Sequence, residues 1–338
     1  MENAIISQHA LGPTWETEDP FLFCAYHRDI YPAGDEQLGL KEEHKAGRMI
    51  GQDFQMLNGF RMYHGSHVPG FPAHPHAGFE TITIVRQGFV DHADSLGAAA
   101  RFGQGDVQWM TAGRGIQHSE MFPLLSQDDD NPLELFQIWL NLPEQNRQSD
   151  PYFKMIWSED IPRFTIVDGR GRSTELELIA GEWGEERAVA PPPDSWAARN
   201  ENALAIWHIR MEAGAELELP IAEAELNRQL FLYQGNEIHI NGVALKRERS
   251  ARLYPHVKTS IKNEDKEARI LMLQARPINQ RSVQHGPFVA ASREGLIDTM
   301  QRFQSGEFGN WPWPDSEPVH DHDSGRFARY PDGVVVKP

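Results

Sequence analysis

The sequence predicts an all-β protein of two barrels, followed by a short helix and an extended tail. Three observations carry this reading. First, 28 glycines and 23 prolines are spread along the chain, and the apolar runs between them are short and bounded by turn signals. Second, several runs alternate with the period of a strand. In residues 133–142 (LELFQIWLNL), Leu133, Leu135, Gln137 and Trp139 share one face, and Glu134, Phe136, Ile138 and Leu140 the other. Both faces are largely apolar, so this strand should be buried on both sides. Third, there is a faint internal repeat, in which Gly235 of LFLYQG aligns with Gly88 of ITIVRQG. On that alignment His74 falls on Ile221, His76 on Glu223 and Glu80 on Asn227. The second half therefore repeats the strand–turn pattern without the imidazoles.

Taken in order, residues 20–30 (PFLFCAYHRDI) read as a first strand, which makes Cys24 a buried structural thiol. Residues 31–50 are polar and read as a loop, and residues 60–68 (FRMYHGSHV) alternate and read as a strand. Residues 70–123 contain an alternating run (Thr81 to Val85), a turn at Gly88 and a Gly-rich return in which Trp109 and Met110 are core positions. The acidic run QDDDNP (127–132) is a solvated turn. Residues 146–162 form a linker to a second strand set: FTIVDG, STELELIAG, ALAIWHIRM, AELELP, NRQLFLYQG and NEIHING. AVAPPPDSW (188–196) must be a surface loop. After residue 291, Ser292 can cap a helix whose stripe is Leu296, Ile297, Met300 and Phe303, ended by Gly306. The remaining tail lacks periodicity and reads as extended or partly disordered, with its tryptophans tying down its start. The predicted division is 1–145, a metal-binding barrel; 146–290, a barrel without ligands; and 291–338, helix and tail.

Composition narrows the function. The net charge is −17, with 32 basic against 49 acidic residues. Such a surface repels nucleic acid and anionic membranes. A single cysteine rules out an intramolecular disulfide framework and fits a reducing compartment. No apolar stretch reaches the roughly 18 residues of a membrane span, and the N-terminus lacks the basic and apolar regions of a secretory signal. A cytoplasmic location and a monomer are expected. GRGRS (169–173) lacks phosphate-loop spacing, and no nucleophile elbow appears.

The chemistry concentrates in two polar pairs. His74 and His76 are spaced i,i+2, as are His118 and Glu120. In a strand, i and i+2 share a face, so two neighbouring strands could bring four donors into one cavity. An HxH pair alone is weak evidence, since 15 histidines in 338 residues give ~0.7 such pairs by chance, and His320/His322 is read as one. What is specific is HxH entering a β run with HxE at the mirrored position. Three neutral imidazoles and a carboxylate suit Fe(II), Mn, Zn, Cu or Ni better than Ca or Mg. Four ligands of an octahedron would leave two positions for an organic oxygen and O2. Glu80, four residues after His76, has strand parity with the histidines. It is a rival for the carboxylate ligand, a partner orienting a ligand imidazole, or a base.

HPHAGFETITIVRQG, GDVQWMTAGRGIQHSEMFP and QHGPFVA resemble the pirin family of the cupin superfamily, from about residue 20 to about 313. The resemblance implies a bicupin, two cupin β-barrels with one metal, usually iron, in the N-terminal barrel. By motif it implies His74, His76, His118 and Glu120 as ligands and leaves Glu80 beside them. It implies quercetin 2,3-dioxygenase-like ring opening of a flavonol or similar enol with O2, in which Glu120 takes the hydroxyl proton. It also implies an alternative, a regulatory role in binding a transcription factor or metabolic enzyme, with iron redox state as a switch. Pirins commonly carry Arg after HPH. Here Ala77 implies the loss of a cation beside the pocket. Residues 31–58 and the tail after 313 look longer than in compact pirins.

Overall fold

The computed structural model describes residues 2–338. The chain forms two compact units whose segments interleave. One contains the chain up to Cys24 and Glu159–Asn279; the other contains Ala25–Ser158 and Gln280–Pro338. The division expected at 145/146 and 290/291 therefore shifts at both ends. The N-terminal segment builds the C-terminal barrel, and the helix and tail build onto the N-terminal barrel.

Both units follow one plan. In the N-terminal barrel, one sheet runs Tyr152–Ile156, Val107–Thr111, Phe79–Gln87, Asn131–Asn141 and Phe21–Tyr31. Its second sheet runs Val335–Val336, Phe327–Arg329, Ala99–Gly103, Phe89–Asp94, Ile116–Met121 and Gly70–His76. In the C-terminal barrel, the first sheet runs Ile5–Ala10, Arg249–Leu253, Asn227–Gln234, Ala268–Ala275, Ala205–Met211, Ser173–Ala180 and Arg163–Val167. Its second sheet runs Glu216–Leu219, Thr259–Asn263, Glu237–Ile240 and Val243–Lys246. The strand before Gly88 and the strand before Gly235 hold the same place in the two orders, as the sequence repeat requires.

The strand Asn131–Asn141 has both faces buried, and Gln137 is its only partly exposed residue beyond Pro132. Leu133, Leu135, Phe136, Ile138 and Leu140 are core residues, each contributing roughly 1.5–3 kcal/mol by leaving water. Trp109, Met110 and Cys24 are buried, and burial pushes the Cys24 thiol well above its usual range.

Residues 60–68 do not form the expected strand. Tyr63 makes single bridges to Asp53 and Gly70, and positive φ at Gly59 and Tyr63 breaks the alternation. The helix is Arg293–Gln304, with the Ser292 hydroxyl accepting from the Gly295 N–H at 3.2 Å. Leu296 and Thr299 are its buried residues, while Ile297 is exposed, one position off the packed stripe.

The tail is ordered against the barrel rather than loose. Phe327–Arg329 pairs with Ala99–Gly103. Buried Arg101 forms a bidentate pair with Asp91 at 2.7 Å and donates to the carbonyls of His320, Asp321 and His322. Trp313 Nε1 donates to the Asp94 carbonyl. Among the described residues, no helix is long and apolar enough to cross a membrane.

Candidate metal centre

The strands Gly70–His76 and Ile116–Met121 are antiparallel neighbours, and their register sets His74 directly opposite His118. A register shift between Phe71 and His74 bends the first strand as it enters the site. His74, His76 and His118 each present a ring nitrogen within 4.8 Å of the other two. Their ring centroids lie 4.5–4.9 Å apart. His76 and His118 are buried and His74 half-buried, so the cluster reaches solvent on the His74 side.

His74 Nδ1 donates to the Pro72 carbonyl at 2.8 Å, which leaves its Nε2 with a lone pair. That Nε2 lies 3.1 Å from His76 Nε2. Both ring nitrogens of His118 are buried without a hydrogen-bond partner. Orphaned buried imidazole nitrogens cost free energy, and a cation shared by the three rings would take one lone pair from each. Burial lowers the pKa of His74 to about 4 and holds those of His76 and His118 well below the usual range. The rings are therefore neutral, the form that ligates metals. The three histidines fit a metal ion of the type that prefers imidazole.

Glu120 shares the face of His118, and its Oε2 lies 3.8 Å from His118 Nε2. Its carboxylate accepts from Thr83 Oγ1 at 3.0 Å and from Gln137 Nε2 at 2.6 Å. Trp139 Nε1 donates to Gln137 Oε1 in turn. Burial raises the Glu120 pKa, while the neighbouring His92 and these two donors oppose the rise.

Glu80 is not brought to this cluster. The strand breaks at Ala77 and Gly78, where Gly78 has φ +88°, and a new strand begins at Phe79. Parity counted from His76 is lost across that break. Thr83 turns its hydroxyl to Glu120, and Glu80, three residues earlier in the same strand, takes the opposite face. Its carboxylate accepts from Thr111 Oγ1 at 2.7 Å.

Ala77 also departs from expectation. Its side chain packs with Phe288, Ala290, Leu296 and Phe308 rather than beside the histidines. The QHGPFVA segment supplies this backing. Ala77 N–H donates to the Pro287 carbonyl, and Val289 N–H donates to the Ala77 carbonyl.

His92 was missed by the sequence reading. It is buried, lies opposite Glu120 on the strand Phe89–Asp94, and its ring is 5.4 Å from that of His118. It also contacts Asp94 Oδ2 at 3.3 Å. The signal was present, because His92 and Asp94 repeat the i,i+2 spacing of the other two pairs. Phe79 and Trp139 stack at 4.1 Å and both meet His76 edge-on, giving the site an aromatic wall.

Two duplicated antiparallel barrels, one carrying a three-imidazole cluster, define a bicupin with a metal-type centre in its N-terminal half. The sequence model of the pirin family matches residues 11–140, and that of the pirin C-terminal cupin domain matches residues 206–309. A Pseudomonas aeruginosa protein named "Putative quercetin 2,3-dioxygenase" is 33% identical over 240 residues, 71% of this chain and 79% of that one. A pirin-like protein of Caulobacter vibrioides is 33% identical over 276 residues, 77% of this chain and 91% of its own. The crystal structure of a quercetin 2,3-dioxygenase from Acinetobacter baumannii has the same fold, with TM-score 0.69 at 23% identity, covering 91% of this chain and 98% of that one. The chain belongs to the pirin family.

Proposed function

We propose that this pirin is a metal-dependent dioxygenase that opens the ring of a flavonol or a similar enol with O2. The observation that carries the reading is the convergence of three neutral imidazoles with a buried carboxylate 3.8 Å from one of them. The names of the relatives support the same reaction class. His74, His76, His118 and Glu120 would hold one divalent metal; the mixed N/O set suits Fe(II), Mn, Zn, Cu or Ni, and the resemblance to pirins favours Fe(II). When bound, the metal supplies a Lewis acid and a template for substrate and O2.

The protein's own groups do the rest. Glu120, the carboxylate at the centre, takes the enol hydroxyl proton. Thr83 and Gln137 fix the carboxylate's orientation through two hydrogen bonds. Gln137 is itself held by Trp139, so the base on one sheet is braced by three residues of the barrel's other sheet. The stacked Phe79 and Trp139 rings offer a flat apolar surface for an aromatic substrate and exclude water beside His76.

The test follows the visible absorbance of quercetin and O2 uptake with iron-loaded protein. Turnover that disappears in His118→Ala is expected. Loaded protein without turnover would overturn the reading and leave the regulatory, partner-binding role as the one to pursue by pull-down.

A further inference from the structure

The C-terminal barrel holds a cavity of about 520 Å3 whose walls include Trp183, Pro191, Trp207, Leu226, Arg228 and Gln274. One of its walls corresponds to the wall of the metal centre that carries His74 and His76 in the other barrel. The offset that sets Gly235 on Gly88 also sets Ile221, Glu223, Leu226 and Arg228 on His74, His76, Phe79 and Thr81. All four of these residues line the cavity. The pairing partners correspond as well. Thr81 lies opposite Trp139 in one sheet, and Arg228 lies opposite Gln274 in the other. The imidazole cluster has been exchanged for a single guanidinium in an aromatic setting.

Arg228 is 1% exposed. Its Nε donates to Gln274 Oε1 at 2.7 Å, whereas both terminal nitrogens are buried without a partner. Trp207 Nε1 is a second buried donor without a partner on the same wall. The acidic groups at the rim are committed elsewhere. Glu223 pairs with Arg276, and Glu182 with Arg187. Burial lowers the Arg228 pKa to about 10, with no acidic neighbour offsetting it, so the group remains a cation at neutral pH. A buried cation with two free donors in one plane costs free energy unless an anion meets it. The fork of a guanidinium matches a carboxylate bidentately. The volume falls within the range of small-molecule sites, and a lining that mixes apolar walls with a few polar groups is typical of them.

From these features we infer that the C-terminal barrel is a second ligand site, binding a small carboxylate with an aromatic or aliphatic body. The carboxylate sits on the Arg228 fork, and the body lies between Trp183, Trp207 and Leu226.

The probe is 3-phenylpropionate, titrated calorimetrically into metal-loaded full-length protein. Saturable binding is expected, weakened by about ten-fold or more when the probe is replaced by its neutral amide. Arg228→Met should weaken it similarly. Ala222→Trp, which fills the cavity from its rim, should do so without touching the buried cation. His74→Ala should leave it unchanged. No saturable binding to the wild type would overturn the assignment. So would binding lost in His74→Ala but kept in both cavity variants, since the probe would then occupy the metal centre. Binding of inorganic phosphate in preference to the carboxylate would overturn the ligand class.

Discussion

Single residues set the ionisation of the centre, and the sign of its pH dependence follows. His74, His76 and His118 have lowered pKa values in the folded protein because burial disfavours the imidazolium. In the unfolded chain they would protonate near 6.5. Below that pH the unfolded state binds more protons, so stability falls as pH drops. Metal-free protein should therefore hold its full stability above about pH 6.5 and lose it progressively toward about pH 4. Urea unfolding at a series of pH values measures this. His118→Leu should flatten the slope, and an unchanged slope would contradict the burial of neutral imidazoles. Gln137 gives a second prediction at this scale. Gln137→Leu removes the 2.6 Å donor to Glu120, so metal affinity should fall by roughly 10–100-fold in a chelator competition while the fold persists. Affinity equal to the wild type would remove Glu120 from the ligand set.

Elements show where local sequence pattern was sufficient and where it failed. The pairs His74/His76 and His118/Glu120 were legible because each lies within one strand, where period two holds without interruption. Glu80 was misread because Gly78 intervenes. A Cβ there would collide with the Val289 carbonyl, and the positive φ at that glycine turns the chain so that parity restarts at Phe79. The contact that forces this turn comes from a segment some two hundred positions along the chain, which no local pattern reports. The tail is extended and tied by Trp313 as expected, but its order was not legible for the same reason, because it depends on an edge strand and on Arg101 rather than on its own periodicity. Arg101→Leu should leave Asp91 buried and uncompensated, lowering stability by about 3–5 kcal/mol in denaturant titration. A loss under 1 kcal/mol would mean that the tail is held by its strand pairing alone. The helix was read correctly from its cap. Ser292→Ala should cost about 1 kcal/mol, measured in the same way.

On the scale of the molecule, duplication explains most of what the sequence disclosed. One alignment of two glycines located equivalent strands in both barrels and showed that only the first carries the imidazole pair at these positions. What it could not disclose is the exchange of segments, with Ile5–Ala10 pairing in the C-terminal barrel and Phe327–Arg329 in the N-terminal one. These edge pairings are chosen by the two sheets' open flanks, not by the pattern of either short strand. Nor could it disclose that the second barrel keeps a cavity beside the strand equivalent to Phe79–Gln87. The two barrels thus present one architecture with two different polar contents, a neutral nitrogen cluster and a buried cation.

In the proposed centre, His74, His76 and His118, completed by Glu120, would hold a single metal. The direct measurement is elemental analysis of protein purified without added metal and after iron loading, for the wild type and for His118→Ala. One equivalent per chain in the loaded wild type, and essentially none in a folded His118→Ala, is the predicted result. A full equivalent retained by His118→Ala would contradict it.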